Sequence, residues 1–360
     1  MSQAAPLIPA VSVVMAVHDG ERWLAETLAS LSAQTFGDFE VVVIDDGSTD
    51  GSAAILAAAA GRDARYRIVT QPNRGLVASL NRGLDEARAP LVARIDADDV
   101  AEPERFARQV AFLSARPEVA AVGSAIRIID GDGRLLRLQA YPSGPAAVAK
   151  AMLKGCALAH PAVMMRRGAV LAAGGYREAF RHAEDYDLWL RLGESHALDN
   201  LPEPLLRYRQ HGSSVSFRHR RQQALATFVA RCCAQARRAG RPDPLRDLRG
   251  PLERGILAHL GLRPADEAAF WFDSAKAALW PAGQANDAGQ LEADMEQAWR
   301  LRDHLPPGRF VRRCLMPHAF DCARDGRPES AARWKQRAFS LAPLSATWSW
   351  LTGGFRGNSR

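Results

Sequence analysis

Three aspartates, Asp96, Asp98 and Asp99, lie within four positions of one another in the stretch LVARIDADD. Carboxylates this close repel one another, and each raises the pKa of its neighbours unless positive charge lies between them. A divalent cation supplies such a charge, because hard cations prefer oxygen ligands. The alternative is a solvated turn whose aspartates cap the following helix, a position that Asp favours. This stretch by itself leaves both interpretations open.

The apolar residues before these aspartates predict a buried strand, and similar runs recur along the first 100 residues. The predicted strands are VSVVMAV (11–17), EVVVID (40–45), YRIVT (66–70) and LVARI (91–95). Stretches with one apolar helical face separate them. Strands and helices that alternate in this way predict a doubly wound, mostly parallel sheet, whose ligands bind outside the carboxyl ends of the strands.

Polar residues follow each of the four predicted strands. They are His18, Asp19 and Gly20 after the first, Asp45 and Asp46 after the second, Asn73 and Arg74 after the third, and Asp96, Asp98 and Asp99 after the fourth. Turns alone do not require polar groups of this kind in four loops at one edge of a sheet. The pattern therefore favours a ligand site over a solvated turn.

From about residue 115 onward the pattern predicts a mixed arrangement. IRIID and RLLRLQ flank DGDG, which indicates a β-hairpin, and AVMMRR (162–167) and LLRYRQ (205–210) are further predicted strands. A short helix is predicted to open near Glu184. Beyond about residue 217 only Ala-, Arg- and Leu-rich helical segments follow. We therefore predict an α/β domain over residues 1–216 and an all-helical domain over residues 217–360.

The basic charge of the chain is concentrated in its C-terminal part. Residues 221–360 hold 22 Lys and Arg against 14 Asp and Glu, whereas the first 220 residues hold 25 against 26. Such an excess fits an anionic membrane surface or an acidic partner, and it equally fits solvated helix faces. Six of the eight tryptophans lie in this part, and we expect them to form a helical core. No nucleic-acid-binding motif is present, so no nucleic-acid partner is expected.

Cysteine usage and the N-terminus point to a compartment. The five cysteines form no CxxC pair and no zinc spacing, which fits a reducing environment. The segment MSQAAPLIPA lacks the features of a signal peptide, and no stretch approaches 18 consecutive apolar residues. We expect a cytoplasmic protein, with peripheral contact at the inner face of the membrane through the basic C-terminal helices as an option.

Residues 10–216 resemble the family 2 glycosyltransferases, which have the GT-A fold. The matching stretches, in the family's order, are VSVVMAVHDGERWLAETLASLSAQTF, FEVVVIDDGSTDGS, PNRGLVASLNRGL, RIDADD, HPAVMMRR, GGYRE, AEDYDLWLRL and YRQHGSSVS. The resemblance implies a Rossmann-like, mostly parallel sheet flanked by helices. It also implies a nucleotide-sugar donor, usually a UDP-sugar, a Mn²⁺ or Mg²⁺ ion, and inverting transfer to an acceptor hydroxyl.

The resemblance assigns a donor site to the loops after the first three strands. Asp46 is similar to the carboxylate that hydrogen-bonds the uracil edge. The loop of Val17, His18 and Asp19 would pass beside the nucleoside, although the family more often has Asn at the position of Asp19. Arg74 resembles the basic residue near the base and the phosphates.

The metal site follows from the same resemblance. Asp96 and Asp98 match the DXD pair, with Asp96 nearer the ribose and Asp98 on the metal that bridges the diphosphate. His211 resembles the C-terminal histidine that completes the metal site, and a nitrogen ligand would favour Mn²⁺ over Mg²⁺. The alternative for His211 is an exposed loop imidazole.

Glu184 and Asp185 occupy the family's ED position, where Asp185 is expected to be the general base. Glu184 is expected to cap the helix or to touch the acceptor. The alternative is that both only place negative charge at a helix N-terminus, where the macrodipole favours it. The backbone of Gly174 and Gly175 would lie close to the sugar and the acceptor, or would end the preceding helix.

The predicted function is that of a metal-dependent inverting glycosyltransferase of the hexosyltransferase type. Its acceptor would be a glycan or a lipid-linked carrier, in the synthesis of a bacterial surface polysaccharide. A nucleotidyltransferase should show a glycine-rich loop with a basic residue after the first strand, and VHDGERW lacks one. A Rossmann dehydrogenase should show GxGxxG there. A non-catalytic binding module should have lost the DXD or ED residues, which are intact. The sugar, the acceptor and the oligomeric state stay open.

Overall fold

The computed structural model describes residues 8–211, 220–248, 250–279, 288–343 and 345–346. Two compact units are present: Met1–Arg218 with Cys233–Pro251, and His219–Cys232 with Leu252–Arg360. The domain boundary expected near residue 217 stays a prediction. All the predicted site residues belong to the first unit.

The first unit is built on a nine-stranded sheet with the order β3-β2-β1-β4-β8-β6-β9-β5, in which β7 pairs with β6 outside this path. The strands are β1 (Val11–Val17), β2 (Phe39–Asp45), β3 (Tyr66–Thr70), β4 (Leu91–Arg94), β5 (Val100–Ala101), β6 (Val119–Ile129), β7 (Leu135–Gln139), β8 (Met164–Arg166) and β9 (Ala197–Arg209). The four strands predicted in the first 100 residues are confirmed to within one residue at each end.

The pairing directions confirm a parallel first half and a mixed second half. β1 pairs in parallel with β2 and β4, and β2 pairs in parallel with β3. β8 is antiparallel to both β4 and β6, whereas β6 and β9 are parallel. The predicted hairpin around DGDG is formed by β6 and β7.

One strand is longer than predicted. β9 begins at Ala197 rather than at residue 205, and its pairing with β6 shifts register near Ser124 and Ala125. The segment 197–204 contains two prolines and three acidic or amide side chains, so it has no apolar alternation. The segment is extended because it pairs with β6, and its own sequence pattern does not reveal this pairing.

Among the described residues up to 211, seven α-helices flank the sheet of the first unit. They are α1 (Glu21–Ser32), α2 (Ser52–Arg62), α3 (Leu76–Glu86), α4 (Arg105–Ala115), α5 (Pro145–Met152), α6 (Arg167–Ala172) and α7 (Glu184–Leu192). Apolar residues of α1 and α4, such as Leu24, Leu31 and Phe106, share one core cluster with Val13 and Val41 of the central strands. β1 and β2 are buried along nearly their whole length. The loops that carry the polar residues begin at the carboxyl ends of these strands.

The second unit contains helical segments only, among its described residues. With the helix that both units share, the α-helices are α8 (Arg220–Arg238), α9 (Pro264–Leu279), α10 (Ala288–Arg300), α11 (Pro307–Phe310), α12 (Met316–Arg324) and α13 (Pro328–Leu341). Trp271 and Trp334 are 8% and 0% exposed, which confirms the expected core role for these two tryptophans. Trp280, Trp348 and Trp350 lie outside the described residues. No described helix is long and apolar enough to cross a membrane.

Candidate active site

The three aspartates after β4 form one cluster. One carboxylate oxygen from each of Asp96, Asp98 and Asp99 lies within 4.8 Å of those of the other two. Burial and then the Asp96 carboxylate raise the pKa of Asp98, and the pKa of Asp99 is raised well above its usual range by burial, Asp98 and Asp96. Oδ2 of Asp99 is buried and has no hydrogen-bond partner among the described residues. This excess of negative charge in little water fits a bound cation.

His211 lies beside this cluster, as the resemblance implied. Its Nε2 is 2.8 Å from Oδ2 of Asp98, and its side chain is 14% exposed. The imidazole packs on the indole of Trp23, with 4.2 Å between the ring centroids. The alternative of an exposed loop imidazole is therefore wrong, whereas metal ligation by His211 stays a prediction. The GSSVS part of its motif lies outside the described residues.

Arg209, the last residue of β9, is hydrogen-bonded to the aspartate cluster. Its backbone N–H donates to Oδ1 of Asp99 over 2.9 Å, and its Nε donates to the carbonyl of Asp98 over 2.9 Å. The guanidinium also pairs with Glu26 over 2.6 Å and is 1% exposed. These contacts join the end of β9, two residues before His211, to the loop that carries Asp98.

Arg94 places a positive charge next to the aspartate cluster, and the sequence analysis did not identify this residue. Its NH1 is 2.5 Å from Oδ2 of Asp96, and its side chain is 3% exposed. Burial acts to lower the pKa of Arg94, but the Asp96 carboxylate overcomes this and raises it. The signal was present in LVARI, where a charged residue interrupts a run of buried apolar ones, a placement that is rare unless the charge is paired.

Glu184 and Asp185 form a second acidic group at the start of α7. Glu184 is 6% exposed, and burial together with the Asp185 charge raises its pKa to about 7. Burial also raises the pKa of Asp185, whose Oδ1 accepts the N–H of Tyr186 over 2.7 Å. The positive charge of Arg94 acts on both carboxylates and lowers their pKa values. The helix macrodipole explains the placement of two acids but not why Glu184 is buried without a partner for its Oε2 among the described residues.

Asp187 has a different environment from Asp185, two positions before it. Its carboxylate is fully buried and pairs with the guanidinium groups of Arg177 and Arg191. Arg177 also pairs with Asp243 over 2.9 Å. Because both oxygens of Asp187 are used in this network, Asp187 is a structural residue.

The loops after β1, β2 and β3 form a connected group at the carboxyl edge of the sheet. The carboxylate of Asp46 accepts the backbone N–H groups of Arg74 and Gly75 over 2.8 and 2.9 Å and the amide of Gln71 over 2.8 Å. The N–H of Asp46 donates to the carbonyl of Val17 over 2.8 Å. Asp46 therefore positions the loop after β3 and leaves the Arg74 side chain exposed. The contact of Asp46 with uracil stays a prediction.

The loop after β1 is held by the loop after β2. Asp19 has a φ of 51°, a conformation that Asn and Asp tolerate better than other residues with side chains. Its Oδ1 accepts the N–H of Thr49 over 2.7 Å, and its own N–H donates to Oγ of Ser48 over 3.2 Å. His18 faces the amide of Asn73, with 3.0 Å between Nε2 and Nδ2. Ser48 and Thr49 thus hold Asp19 in place, and neither caps α2.

Gly174 and Gly175 end α6. They have φ values of 86° and 64°, and their N–H groups donate to the carbonyls of Leu171 and Val170 over 2.9 and 3.0 Å. A Cβ at Gly175 would lie 2.7 Å from Oδ1 of Asn81, whereas a Cβ at Gly174 would meet no atom within 4 Å. The helix-ending role is confirmed, and the proximity of both glycines to the sugar stays a prediction.

Comparison with known proteins decides the family. Residues 12–172 match the profile described as Glycosyl transferase family 2. A putative glycosyltransferase of Bacillus subtilis, EpsE, is 36% identical over 230 residues, which cover 62% of this chain and 82% of that protein. The chain belongs to glycosyltransferase family 2. It is a glycosyltransferase enzyme, as the resemblance implied.

Two further proteins are similar to this family 2 glycosyltransferase. WbnJ of Escherichia coli, an O-antigen biosynthesis glycosyltransferase, is 33% identical over 213 residues, or 58% of this chain and 83% of WbnJ. The solved structure of S. aureus TarS 1–349 in complex with UDP-GlcNAc superposes with a TM-score of 0.58 at 15% identity, covering 96% of this chain and 93% of that one. The structural likeness confirms the predicted GT-A-type sheet followed by a helical region.

Behind the two acidic groups of this glycosyltransferase lies a buried aromatic pair. Nε2 of His160 is 2.9 Å from the hydroxyl of Tyr176, and His160 is 9% exposed. Burial, and to a lesser degree Arg94, hold the pKa of His160 well below its usual range, so the imidazole is neutral. His160 is thus a hydrogen-bonded residue of the interior.

Proposed function

We propose that this family 2 glycosyltransferase moves a sugar from a UDP-sugar to a hydroxyl of a glycan or lipid-linked acceptor, with inversion. The observation that carries the proposal is that Arg94 acts on two acidic groups. The donor-side group consists of Asp96, Asp98 and Asp99. The acceptor-side group consists of Glu184 and Asp185, and Asp185 is the candidate base. UDP-GlcNAc in the TarS complex supports the choice of nucleotide. The likeness to WbnJ, an O-antigen biosynthesis glycosyltransferase, supports polysaccharide assembly as the context.

A Mn²⁺ or Mg²⁺ ion fits the donor-side residues. Asp98 and Asp96 would hold it with oxygen ligands, His211 would add a nitrogen ligand, and Asp99 with its buried unpartnered Oδ2 supplies further negative charge. When bound, such an ion neutralises the charge that develops on a departing diphosphate. Arg94 holds Asp96 in one orientation, so one carboxylate of the cluster keeps its position with or without ligands.

The acceptor-side residues perform the proton transfer. A carboxylate of Asp185 takes the proton of the acceptor hydroxyl while that oxygen attacks the anomeric carbon from the face opposite the nucleotide. The new bond joins the acceptor oxygen to the anomeric carbon, and the bond from that carbon to the diphosphate oxygen breaks. The raised pKa of Asp185 makes it a stronger base than an ordinary aspartate.

The test of this proposal is a calorimetric titration of UDP, GDP and dTDP in Mn²⁺ or Mg²⁺, repeated in EDTA. We expect UDP to bind in the micromolar range with either ion and at least tenfold more weakly in EDTA, because the carboxylate cluster repels a free diphosphate. Preferential binding of GDP or dTDP would overturn the choice of nucleotide. Binding of no nucleotide under any condition would overturn the donor site itself.

Glu184→Gln is expected to leave the acid limb of the pH profile of sugar transfer in place and to raise stability above neutral pH. Activity rises with pH as the base Asp185 ionises. The Asp185 charge helps to raise the pKa of Glu184, so Asp185 ionises first, while Glu184 is still neutral. Folding also opposes ionisation of Glu184, whose pKa rises to about 7. Stability is therefore lost as pH rises toward 7, and the variant should recover at most about 3 kcal/mol above that pH.

The measurements for this variant are kcat/KM against pH and thermal unfolding at pH 5 and pH 8. Glu203→Gln, at an exposed position of β9, is the matched control and should leave both profiles unchanged. A shifted acid limb in Glu184→Gln would contradict the ionisation of Asp185 before Glu184. A loss of stability at pH 8 would contradict the raised pKa of Glu184.

A further inference from the structure

The hairpin of β6 and β7 carries an exposed apolar and basic segment, residues 132–138, here called the hairpin segment. Every residue in it is exposed. Leu135, Leu136 and Leu138 are 61%, 54% and 61% exposed, and Arg134 and Arg137 are interleaved with them. Three large apolar side chains within four positions in water are unusual for a surface strand and indicate a contact that covers them.

The pairing of β7 leaves this segment at the margin of the sheet. Among the described strands, β7 pairs only with β6, from Leu135 opposite Ile129 to Gln139 opposite Ile126. Pairing of its other edge with a second copy of the chain would satisfy main-chain groups but leave the leucine side chains in water. A second copy is therefore a poor occupant.

The charges of the segment fit an anionic surface. Asp132 pairs with Arg134 over 3.2 Å and lies 4.0 Å from Arg22, and the Asp130 carboxylate accepts the backbone N–H groups of the turn. Arg137 has no ion-pair partner among the described residues, so the hairpin keeps a positive charge next to its leucines. Leucines beside arginines are typical of segments that lie at the interface of a bilayer, where the arginine heads reach the lipid phosphates.

The turn of the hairpin is connected to the candidate active site. The carbonyl of Gly131 in the turn accepts the indole N–H of Trp23 over 3.0 Å, and Trp23 packs on His211. A surface bound at the hairpin segment is therefore connected to the metal side of the site through Trp23.

We infer that the hairpin segment docks this glycosyltransferase on an anionic lipid bilayer, with Leu135, Leu136 and Leu138 in the interfacial layer and Arg134 and Arg137 at the phosphates. This docking does not depend on the sugar chemistry proposed above. It is also distinct from membrane contact through the basic C-terminal helices, which stays a prediction.

The test is flotation of the full chain with vesicles of phosphatidylcholine, alone or mixed with phosphatidylglycerol. We expect binding to the mixed vesicles and a loss of roughly tenfold or more in the variant with Leu135→Ser, Leu136→Ser and Leu138→Ser. Arg134→Gln with Arg137→Gln should remove the preference for phosphatidylglycerol. The control is Leu153→Ser with Leu171→Ser, at positions that are 53% and 38% exposed elsewhere on the same unit, and it should bind as the unchanged protein does.

Thermal unfolding and nucleotide titration of each variant separate a folding defect or a failed donor site from a lost lipid contact. Failure of the unchanged protein to float would overturn the inference. Undiminished flotation of the triple leucine variant would also overturn it and would place lipid binding elsewhere on the chain. A dimer in size exclusion that the triple variant converts to a monomer would overturn it in favour of a contact between copies.

Discussion

Replacing Asp98 with alanine is expected to abolish metal-dependent nucleotide binding and sugar transfer while the protein stays folded. The change removes the carboxylate that lies 2.8 Å from His211 and within the aspartate cluster. It also removes a carboxylate whose pKa is raised by burial and by Asp96. The raised pKa means that negative charge in the cluster is unfavourable without a cation. Thermal stability should therefore be unchanged or higher in EDTA, although activity is lost.

The measurement is UDP titration with Mn²⁺ and with EDTA, beside thermal unfolding in the same buffers. Asp85→Ala changes an exposed carboxylate on α3 and serves as the matched control, with binding and stability unaltered. UDP affinity that is the same in Asp98→Ala as in the unchanged protein would show that Asp98 does not hold a metal. A large fall in stability in EDTA would show that Asp98 is a structural residue.

Replacing Asp185 with asparagine is expected to lower kcat by about 10²–10⁴-fold, the usual contribution of a positioned proton acceptor. The amide keeps the shape of the side chain and can still accept the N–H of Tyr186, but it cannot take a proton from the acceptor. UDP affinity should stay within about twofold, because the donor side is built from other residues. Burial already opposes the charge of Asp185, so the neutral variant should be at least as stable.

This variant is compared with Asp85→Asn by steady-state kinetics and by nucleotide titration. Equal kcat values for Asp185→Asn and the unchanged protein would remove Asp185 as the base and leave Glu184 as the candidate. A rise in KM for the acceptor at unchanged kcat would assign Asp185 to acceptor binding instead. A weakened affinity for UDP would contradict the division of the site into a donor side and an acceptor side.

The sequence determined the first half of the sheet and the location of the candidate site. Runs such as VSVVMAV are apolar without alternation because the strands are buried on both faces, so their bounds were predictable from local patterning. The loops at their carboxyl ends then had to meet at one edge, which brings Asp46, Arg74 and Asp98 to the same side of the sheet. The start of α7 at Glu184 and the β6–β7 hairpin followed from equally local signals.

Only the tertiary structure decided what each polar group contacts. Arg94 looked like one residue of a buried strand, yet its guanidinium pairs with Asp96 and acts on Glu184 and Asp185, which are far away in sequence. Asp185 and Asp187 belong to one acidic run, but the buried Asp187 pairs with two arginines and is structural. Such differences arise from burial and from charges contributed by other strands and helices, and these act through space rather than along the chain.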